Sequence, residues 1–253
     1  MFSSFLGEGR CTHVFKGWID KQTLLASKPG FGMAVAIIKY SPEGFLDHGK
    51  WSAEVNYLGC FLHQNLIELI GYCLEDENSL LVYEFHAKWK LGRSPFQELS
   101  LQEFNPKLSV FSLAGAGRAS DDIGHAVVDI SGWVYAAPEF LLTGALSAKC
   151  NIYSFGVILL ELLSGRCAVD MNRASVGPNL VDWAKPYWGD EKMLFNIMDH
   201  RLDGQYPKKG ARVAVAVAVM CLSTVIKVRP TMAEVLTVLE RISDANNTSK
   251  RLQ

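Results

Sequence analysis

The sequence predicts an α+β protein of two unequal lobes, a small strand-rich one followed by a larger helical one. Three observations carry that expectation. Residues up to about 85 hold short apolar and β-branched runs separated by turn signals. Residues from about 138 onward hold longer apolar stretches at helical spacing. Between them, 86–135 is rich in Gly, Ser and Ala and has weak periodicity. Strands with one helix, an irregular middle and then helices give two lobes around separate cores.

In the first lobe, Val14–Trp18 and Ala34–Tyr40 read as strands, with the turn signal Lys28-Pro29-Gly30-Phe31-Gly32 between them. Lys50–Phe61 places Trp51, Val55, Leu58 and Phe61 on one helix face. Leu66–Tyr72 and Leu80–Phe85 are two further strands, parted by the acidic turn Glu75-Asp76-Glu77-Asn78. An irregular stretch as long as 86–135 is unusual inside a compact domain, and is functional, disordered or damaged.

In the second lobe, Ile152–Leu163 is apolar nearly all round, the pattern of a buried central helix, with Gly165 as its stop. Asn179–Ala184 and Lys192–Met198 read as short amphipathic helices. Val213–Val219 alternates Val and Ala like a strand. The helix propensity of Ala and the continuation through Met220-Cys221-Leu222 assign it to a helix. Thr231-Met232-Ala233-Glu234, just after Pro230, is a capping box opening a helix to about Ile242.

Composition narrows the function classes. With 49% apolar and 20% charged residues, disorder and collagen-like structure are excluded. Lys and Arg number 25 against 26 Asp and Glu, so nothing points to nucleic-acid or membrane-surface binding. Apolar runs such as Val213–Leu222 fall well short of the roughly 20 residues that cross a bilayer. The start Met1-Phe2-Ser3-Ser4-Phe5-Leu6 predicts neither a secretory signal nor, with Phe2 in place of Gly, N-myristoylation. The 6 cysteines are scattered without any C-x-x-C, the expectation for reduced thiols of an intracellular protein. The 6 histidines are equally dispersed, and no metal site is expected from either set.

A family resemblance rests on motifs in order. Leu6-Gly7-Glu8-Gly9 followed by Val14-Phe15-Lys16-Gly17 resembles the glycine-rich loop of protein kinases. Val35-Ala36-Ile37 resembles the strand that carries the ATP lysine, Glu54 the ion-pairing Glu of the following helix, and Leu81-Val82-Tyr83-Glu84-Phe85 the hinge strand. Ala137-Pro138-Glu139 resembles the close of the activation segment. Ile152-Tyr153-Ser154-Phe155-Gly156-Val157 and Val228-Arg229-Pro230 resemble parts of the helical lobe. The phrases Leu-Ile-Gly-Tyr-Cys at 69–73, Leu-Leu-Ser-Gly-Arg at 162–166 and Asn-Leu-Val-Asp-Trp-Ala-Lys-Pro-Tyr at 179–187 are similar to those of plant receptor-like cytoplasmic serine/threonine kinases. The resemblance covers about residues 5–242. It implies a bilobal protein-kinase-like fold with an N-lobe over 1–85 and a truncated helical C-lobe over 86–253, together one domain. It implies ATP as cofactor, with Gly7, Gly9, Val14, Ala36, Lys39, Glu54 and the backbone of Glu84 and His86 as the nucleotide-side residues. It implies a buried ion pair between Glu139 and Arg229, while Trp183, Tyr187 and Trp188 read as core and rim.

The parts that perform chemistry depart from the pattern. Thr12 stands at the third glycine position, with Arg10 and Cys11 at the loop tip, which weakens a phosphate cover that works by close backbone approach. Ile38 follows Val35-Ala36-Ile37 where the lysine belongs, and Lys39 comes one later. Alternation along a strand then turns Lys39 away from the cleft unless a one-residue bulge intervenes. Glu54 is left without its usual partner. No Asp occurs between Glu77 and Ser120, and Val110-Phe111-Ser112 stands where the metal-binding Asp-Phe-Gly belongs. The stretch from Glu84 to Val110 is about 50 residues shorter than the resemblance implies, so the catalytic loop and its preceding helix are missing. His200-Arg201-Leu202-Asp203 looks like a catalytic motif but comes after Ala-Pro-Glu, and is expected to be a surface turn. From Val110 to Glu139 there is no Thr, only Ser120 and Ser131 among the loop hydroxyls beyond Ser112. Asn151 replaces the Asp that by resemblance anchors the catalytic loop.

The expectation is therefore a pseudokinase with no catalytic or metal-binding residues, at most weak ATP binding and no Mg²⁺. It acts by binding proteins such as receptor kinases or signalling proteins, in the cytoplasm and, through a partner, at the plasma membrane. Two alternatives stand beside it. One is an active serine/threonine kinase with displaced residues. The other is a truncated product without a stable fold, whose missing helix leaves Ile152–Leu163 bare.

Overall fold

The computed structural model describes residues 4–9, 12–40, 55–56, 59–60, 62–75, 78–85, 107, 134–170, 179–189 and 193–251. The chain divides into two compact units, Met1–Gly115 and Ala116–Gln253, the first built of strands and the second of helices.

The strand unit is one antiparallel sheet. Its strands are β1 (Ser4–Gly9), β2 (Thr12–Ile19), β3 (Met33–Tyr40), β4 (Leu69–Glu75) and β5 (Asn78–Glu84), in the spatial order β1-β2-β3-β5-β4. Alternation along β3 sorts its side chains into two cores. Ile38 packs with Val14, Val55, Leu81 and Tyr83 on one face, and Val35 and Ile37 pack with Ile19 on the other. The expected strand at 66–72 begins three residues later, because 63–66 is taken up by a turn in which Leu66 N donates to His63 O at 2.9 Å. The hairpin that follows closes with Glu75 opposite Asn78. Of the expected helix at 50–61, Val55, Asn56 and Gly59 are helical and Val55 is buried, while Glu54 and the other residues of its apolar face lie outside the described residues.

The helical unit contains α1 (Pro138–Thr143), α2 (Ala148–Ser164), α3 (Leu180–Ala184), α4 (Lys208–Cys221) and α5 (Met232–Arg251). Ser147 caps α2 by accepting from Cys150 N, and Gly165, at φ 63°, ends it in the left-handed conformation that glycine adopts without strain. The expected bare face on α2 is small: Ile152, Val157, Leu159 and Leu160 are buried, and only Leu162 among its large apolar residues is exposed. The Val/Ala run resolves as helix α4, with Ala211, Val215, Ala218 and Cys221 buried at helical spacing. Met193–Ile197 is a 3₁₀ helix rather than the expected amphipathic α-helix, since five residues give too few i→i+4 bonds to offset nucleation. In α5 the capping box forms as expected: Thr231 N donates to Glu234 Oε2 at 2.7 Å, and Glu234 N donates to Thr231 Oγ1 at 3.3 Å. That helix runs to Arg251, past the expected end at 242, because its last turns are polar and carry no apolar periodicity to mark them. Among the described residues no helix is long and apolar enough to cross a membrane.

Candidate functional site

The sheet brings several of the sequence-predicted residues together. Gly7 pairs with Val14 and Gly9 with Thr12 across the β1–β2 hairpin, whose tip residues 10–11 lie outside the described residues. Val14 pairs with Ile38, Lys16 with Ala36, and Ile38 with Leu81. Val14 and Ala36 are 2% and 0% exposed, so both are packed into the sheet unit.

Lys39 is the informative position. The registers β2–β3 and β3–β5 run without a shift through it, pairing Lys39 with His13 on one side and with Leu80 on the other. The bulge that could have turned it inward is absent. Ile38 takes the face shared with Val14, Leu81, Tyr83 and the helical Val55, and Lys39 takes the opposite one with Val35 and Ile37. The face on which the resemblance places a phosphate-binding lysine therefore holds a buried isoleucine. These residues suit an apolar ring and do not fit a metal–triphosphate: the core of the face is apolar, no carboxylate joins it among the described residues, and Lys16, the cation opposite Ala36, lies over the Trp18 and Phe85 rings. Among the described residues no three His, Cys, Asp or Glu side chains gather as a metal site.

Glu84 ends β5, and its role in the structure is one the sequence reading missed. Its N–H donates to Glu68 O at 3.0 Å. Its carboxylate Oε1 accepts from Glu68 N at 3.1 Å and from Lys107 Nζ in a half-buried ion pair. A partner 23 positions away in the sequence leaves no local signal. Beside this pair an open cavity of about 240 Å³ is lined by Leu62, His63, Gln64, Leu66, Glu68 and Lys107. Among the described residues, none of those expected on the nucleotide side lines it. His86, like Glu54, lies outside the described residues, as does the Val110-Phe111-Ser112 stretch.

In the helical unit the expected ion pair is present. Arg229, whose side chain is 0% exposed, donates from Nη1 to Glu139 Oε1 at 2.6 Å and from Nη2 to Glu139 Oε2 at 2.7 Å. Its remaining donors reach Ser223 O at 2.7 Å from Nε and Lys149 O at 2.9 Å from Nη1. The guanidinium also lies 5.0 Å from the Tyr153 ring centroid. Hydrogen bonds from Arg229 hold the Glu139 carboxyl below its ordinary range. Pro138 at the first turn of α1 and the buried Phe140 fix Glu139 in position.

A second carboxylate is held quite differently. Glu161 of α2 is buried with no cation paired to it among the described residues, accepting from Tyr135 Oη at 3.0 and 3.1 Å and from Ala168 N at 2.6 Å. Desolvation pushes its pKa up, against the lowering effect of those hydrogen bonds. Burial beside it pushes the Tyr135 hydroxyl up as well. The His200-Arg201-Leu202-Asp203 stretch is a 3₁₀ turn in which Arg201 pairs with Asp199 and the His200 side chain is exposed, a surface turn as expected. Trp183 is buried, with Tyr187 and Trp188 packed at the edge of the same core and Arg166 stacked 4.4 Å from the Trp183 ring. Asn151 is exposed in the first turn of α2.

Comparison with known proteins accounts for this combination of sheet and helical unit. The family profile of protein tyrosine and serine/threonine kinases matches residues 1–95. The chain is 46% identical over 281 aligned positions to a probable serine/threonine-protein kinase of Arabidopsis thaliana, PBL3, covering 94% of this chain and 66% of that protein. It is 43% identical to a second from that plant, PBL18, covering 96% of this chain and 73% of the relative. It is 40% identical to receptor-like cytoplasmic kinase 176 of Oryza sativa subsp. japonica, covering 99% of this chain and 74% of the relative. The chain is thus a protein kinase domain in class, and it belongs to the receptor-like cytoplasmic serine/threonine kinases of plants. It spans 66% of the length of the first two relatives it matches. The aligned span of 281 positions also exceeds the 253 residues of this chain, so the relative carries residues inside the shared region that this chain lacks. Kinases of this family use ATP.

Proposed function

We propose that this kinase domain transfers no phosphate and works as a pseudokinase, by binding other proteins. One observation carries the reading: the sequence has no Asp between Glu77 and Ser120. In kinases that interval supplies both the Asp beside the acceptor hydroxyl and the Asp that holds Mg²⁺. Losing both removes most of the electrostatic stabilisation available to phosphoryl transfer, at about 1.4 kcal/mol for each tenfold in rate. The outward placement of Lys39 and the shortfall of this chain against its relatives support the same conclusion. Nucleotide binding is weak and independent of Mg²⁺. It rests on a glycine cover reduced to Gly7 and Gly9, on the Val14 and Ala36 side of the sheet, and on the backbone of Glu84 and His86; Glu54 has no lysine to pair with. The strand-built N-lobe spans 1–85 and the truncated helical lobe 86–253. The partners are receptor kinases and signalling proteins, met in the cytoplasm and, through them, at the plasma membrane. The near-zero net charge supports a role without nucleic acid.

The test is twofold. Incubation with labelled ATP, Mg²⁺ and a generic protein substrate is expected to give no incorporation above a protein-free blank. Thermal melting is expected to be cooperative and to rise slightly with ATP, equally with and without Mg²⁺. Phosphate incorporation abolished by Lys39→Ala overturns the proposal in favour of a working kinase.

A further inference from the structure

We infer that residues 141–148 and 224–228 of the helical unit form one docking surface for a short apolar protein segment that carries a carboxylate. The inference rests on the reading that the chain works by binding proteins, and it names the chemistry of such a partner.

The two stretches are adjacent because the Arg229–Glu139 pair stitches their ends together. Arg229, which follows the second stretch, grips Glu139 just before the first, and its Nη1 also donates to Lys149 O just after it. Lys149 Nζ returns the contact by donating to Arg229 O, and to Pro230 O at 3.3 Å. A 3₁₀ helix, Ile226–Val228, shapes the second stretch. The backbone of the surface is therefore fixed before any partner arrives, which lowers the ordering cost of binding.

Every residue of both stretches is exposed. They are also strongly apolar: Leu142 is 86% exposed, Val225 and Val228 are each 56%, and Leu141, Leu146 and Ile226 join them. Single exposed apolar residues need no explanation, but a clustered set with almost no charge does. The sequence of the two stretches contains one charged residue, Lys227, and no carboxylate. Among the described residues Lys227 makes no ion pair.

That lone cation decides the occupant. A wholly apolar partner covering the surface strips water from the Lys227 ammonium and gives nothing back, which is costly. A basic partner adds repulsion. A second copy docking by the same two stretches adds a second Lys227 and no carboxylate from either stretch to pair with it. A segment with a carboxylate set among apolar side chains satisfies both features of the surface.

The test uses the full chain and fluorescein-labelled peptides of equal length, one of Leu and Glu and one of Leu and Lys, read by anisotropy. The wild type is expected to bind the Leu/Glu peptide and to ignore the Leu/Lys one. Leu142→Asp is expected to weaken the Leu/Glu complex by about tenfold or more. Lys227→Glu, an exposed change that leaves the fold intact as checked by its melting temperature, is expected to reverse the preference. Equal binding of both peptides, binding of neither, a preference unmoved by Lys227→Glu, or a dimer that Leu142→Asp dissolves overturns the inference. A chain that transfers no phosphate yet fails this test loses the docking surface alone. One that binds the peptide but transfers phosphate loses the pseudokinase reading and keeps the surface.

Discussion

The two units treat charge in opposite ways. In the helical unit a guanidinium with no exposed surface is met by both oxygens of one carboxylate and by two backbone carbonyls. In the sheet unit the corresponding inward position is filled by Ile38, 3% exposed, and the neighbouring lysine sits on the other face at partial exposure. One region has kept a buried ion and every partner it needs. The other has kept its strand and exchanged the ion for packing. The difference separates two roles that a kinase normally combines: the Arg229 cluster holds loops and helices together, whereas the lysine position acts on a phosphate and adds little to the sheet. Replacing the second while keeping the first leaves the packing of each unit in place.

The largest effect expected from breaking this contrast comes at Arg229. Arg229→Ala leaves the Glu139 carboxylate and the Ser223 and Lys149 carbonyls without their donor. A loss of about 3–5 kcal/mol in urea unfolding is expected. The double replacement Glu139→Leu with Arg229→Met removes both ions and is expected to recover part of that loss, because no buried charge is then left unpaired. A single Arg229→Ala that costs no more than a surface substitution ends the claim that this pair holds the helical unit.

What the sequence could and could not reveal follows the same division. Local signals were legible: Gly165 and the Thr231–Glu234 box mark helix ends through bonds between residues a few positions apart. The Val/Ala run resolved correctly because propensity and length outweigh apparent alternation. The outward placement of Lys39 could be read from strand alternation, with only a bulge left open, and the continuous register closes that question. Boundaries failed where no apolar pattern marks them, as at the polar end of α5, or where a short turn consumes strand residues, as at His63–Leu66. Long-range polar contacts were harder still. Glu139–Arg229 was expected only through the family resemblance. Glu84–Lys107 and Tyr135–Glu161 were not expected at all, since nothing in the neighbourhood of either residue names the other.

A second effect, smaller than the first, sharpens the role of packing in the helical unit. A Cβ at Gly156 would lie 2.8 Å from Cys221 Cβ and 3.0 Å from Leu222 Cγ, so α2 and the end of α4 approach more closely than any side chain allows. Gly156→Ala gains up to about 1 kcal/mol of helix propensity. It loses more through overpacking, about 1–3 kcal/mol, so net destabilisation is expected in the same urea series. Glu161 offers a gentler probe through pH. Its folded pKa lies above the ordinary 4.5, so the folded state holds the proton more tightly than the unfolded one. The stabilisation from that proton is complete below 4.5 and fades as pH rises through the folded value. Glu139 and Asp199, both held low by arginine, work in the reverse sense: their stabilisation is present above the ordinary range and fades as pH falls. Melting curves from pH 4 to 8 are therefore compared between wild type and Glu161→Gln, so that the arginine-paired groups cancel. The wild type is expected to lose stability relative to the variant as pH rises, and a constant difference across the range refutes the assignment.

The smallest effect is expected at Lys39, and its smallness is the point. In a working kinase the lysine of this strand touches the phosphates, and its loss abolishes transfer. Here Lys39 pairs across the sheet with His13 and Leu80 on the face away from Ile38, and its removal deletes a partly exposed side chain outside the core of that face. Lys39→Ala is expected to change stability by less than about 0.5 kcal/mol and to leave the ATP-induced shift in melting temperature unaltered. The exchange Ile38→Lys with Lys39→Ile, which returns a cation to the inward face, is expected to lower stability by burying it while still giving no phosphate transfer, because the missing carboxylates are not restored. A lost ATP shift in Lys39→Ala, with an unchanged urea midpoint, places the lysine at a nucleotide after all. The contrast between the two units then fails at the one residue on which it is drawn.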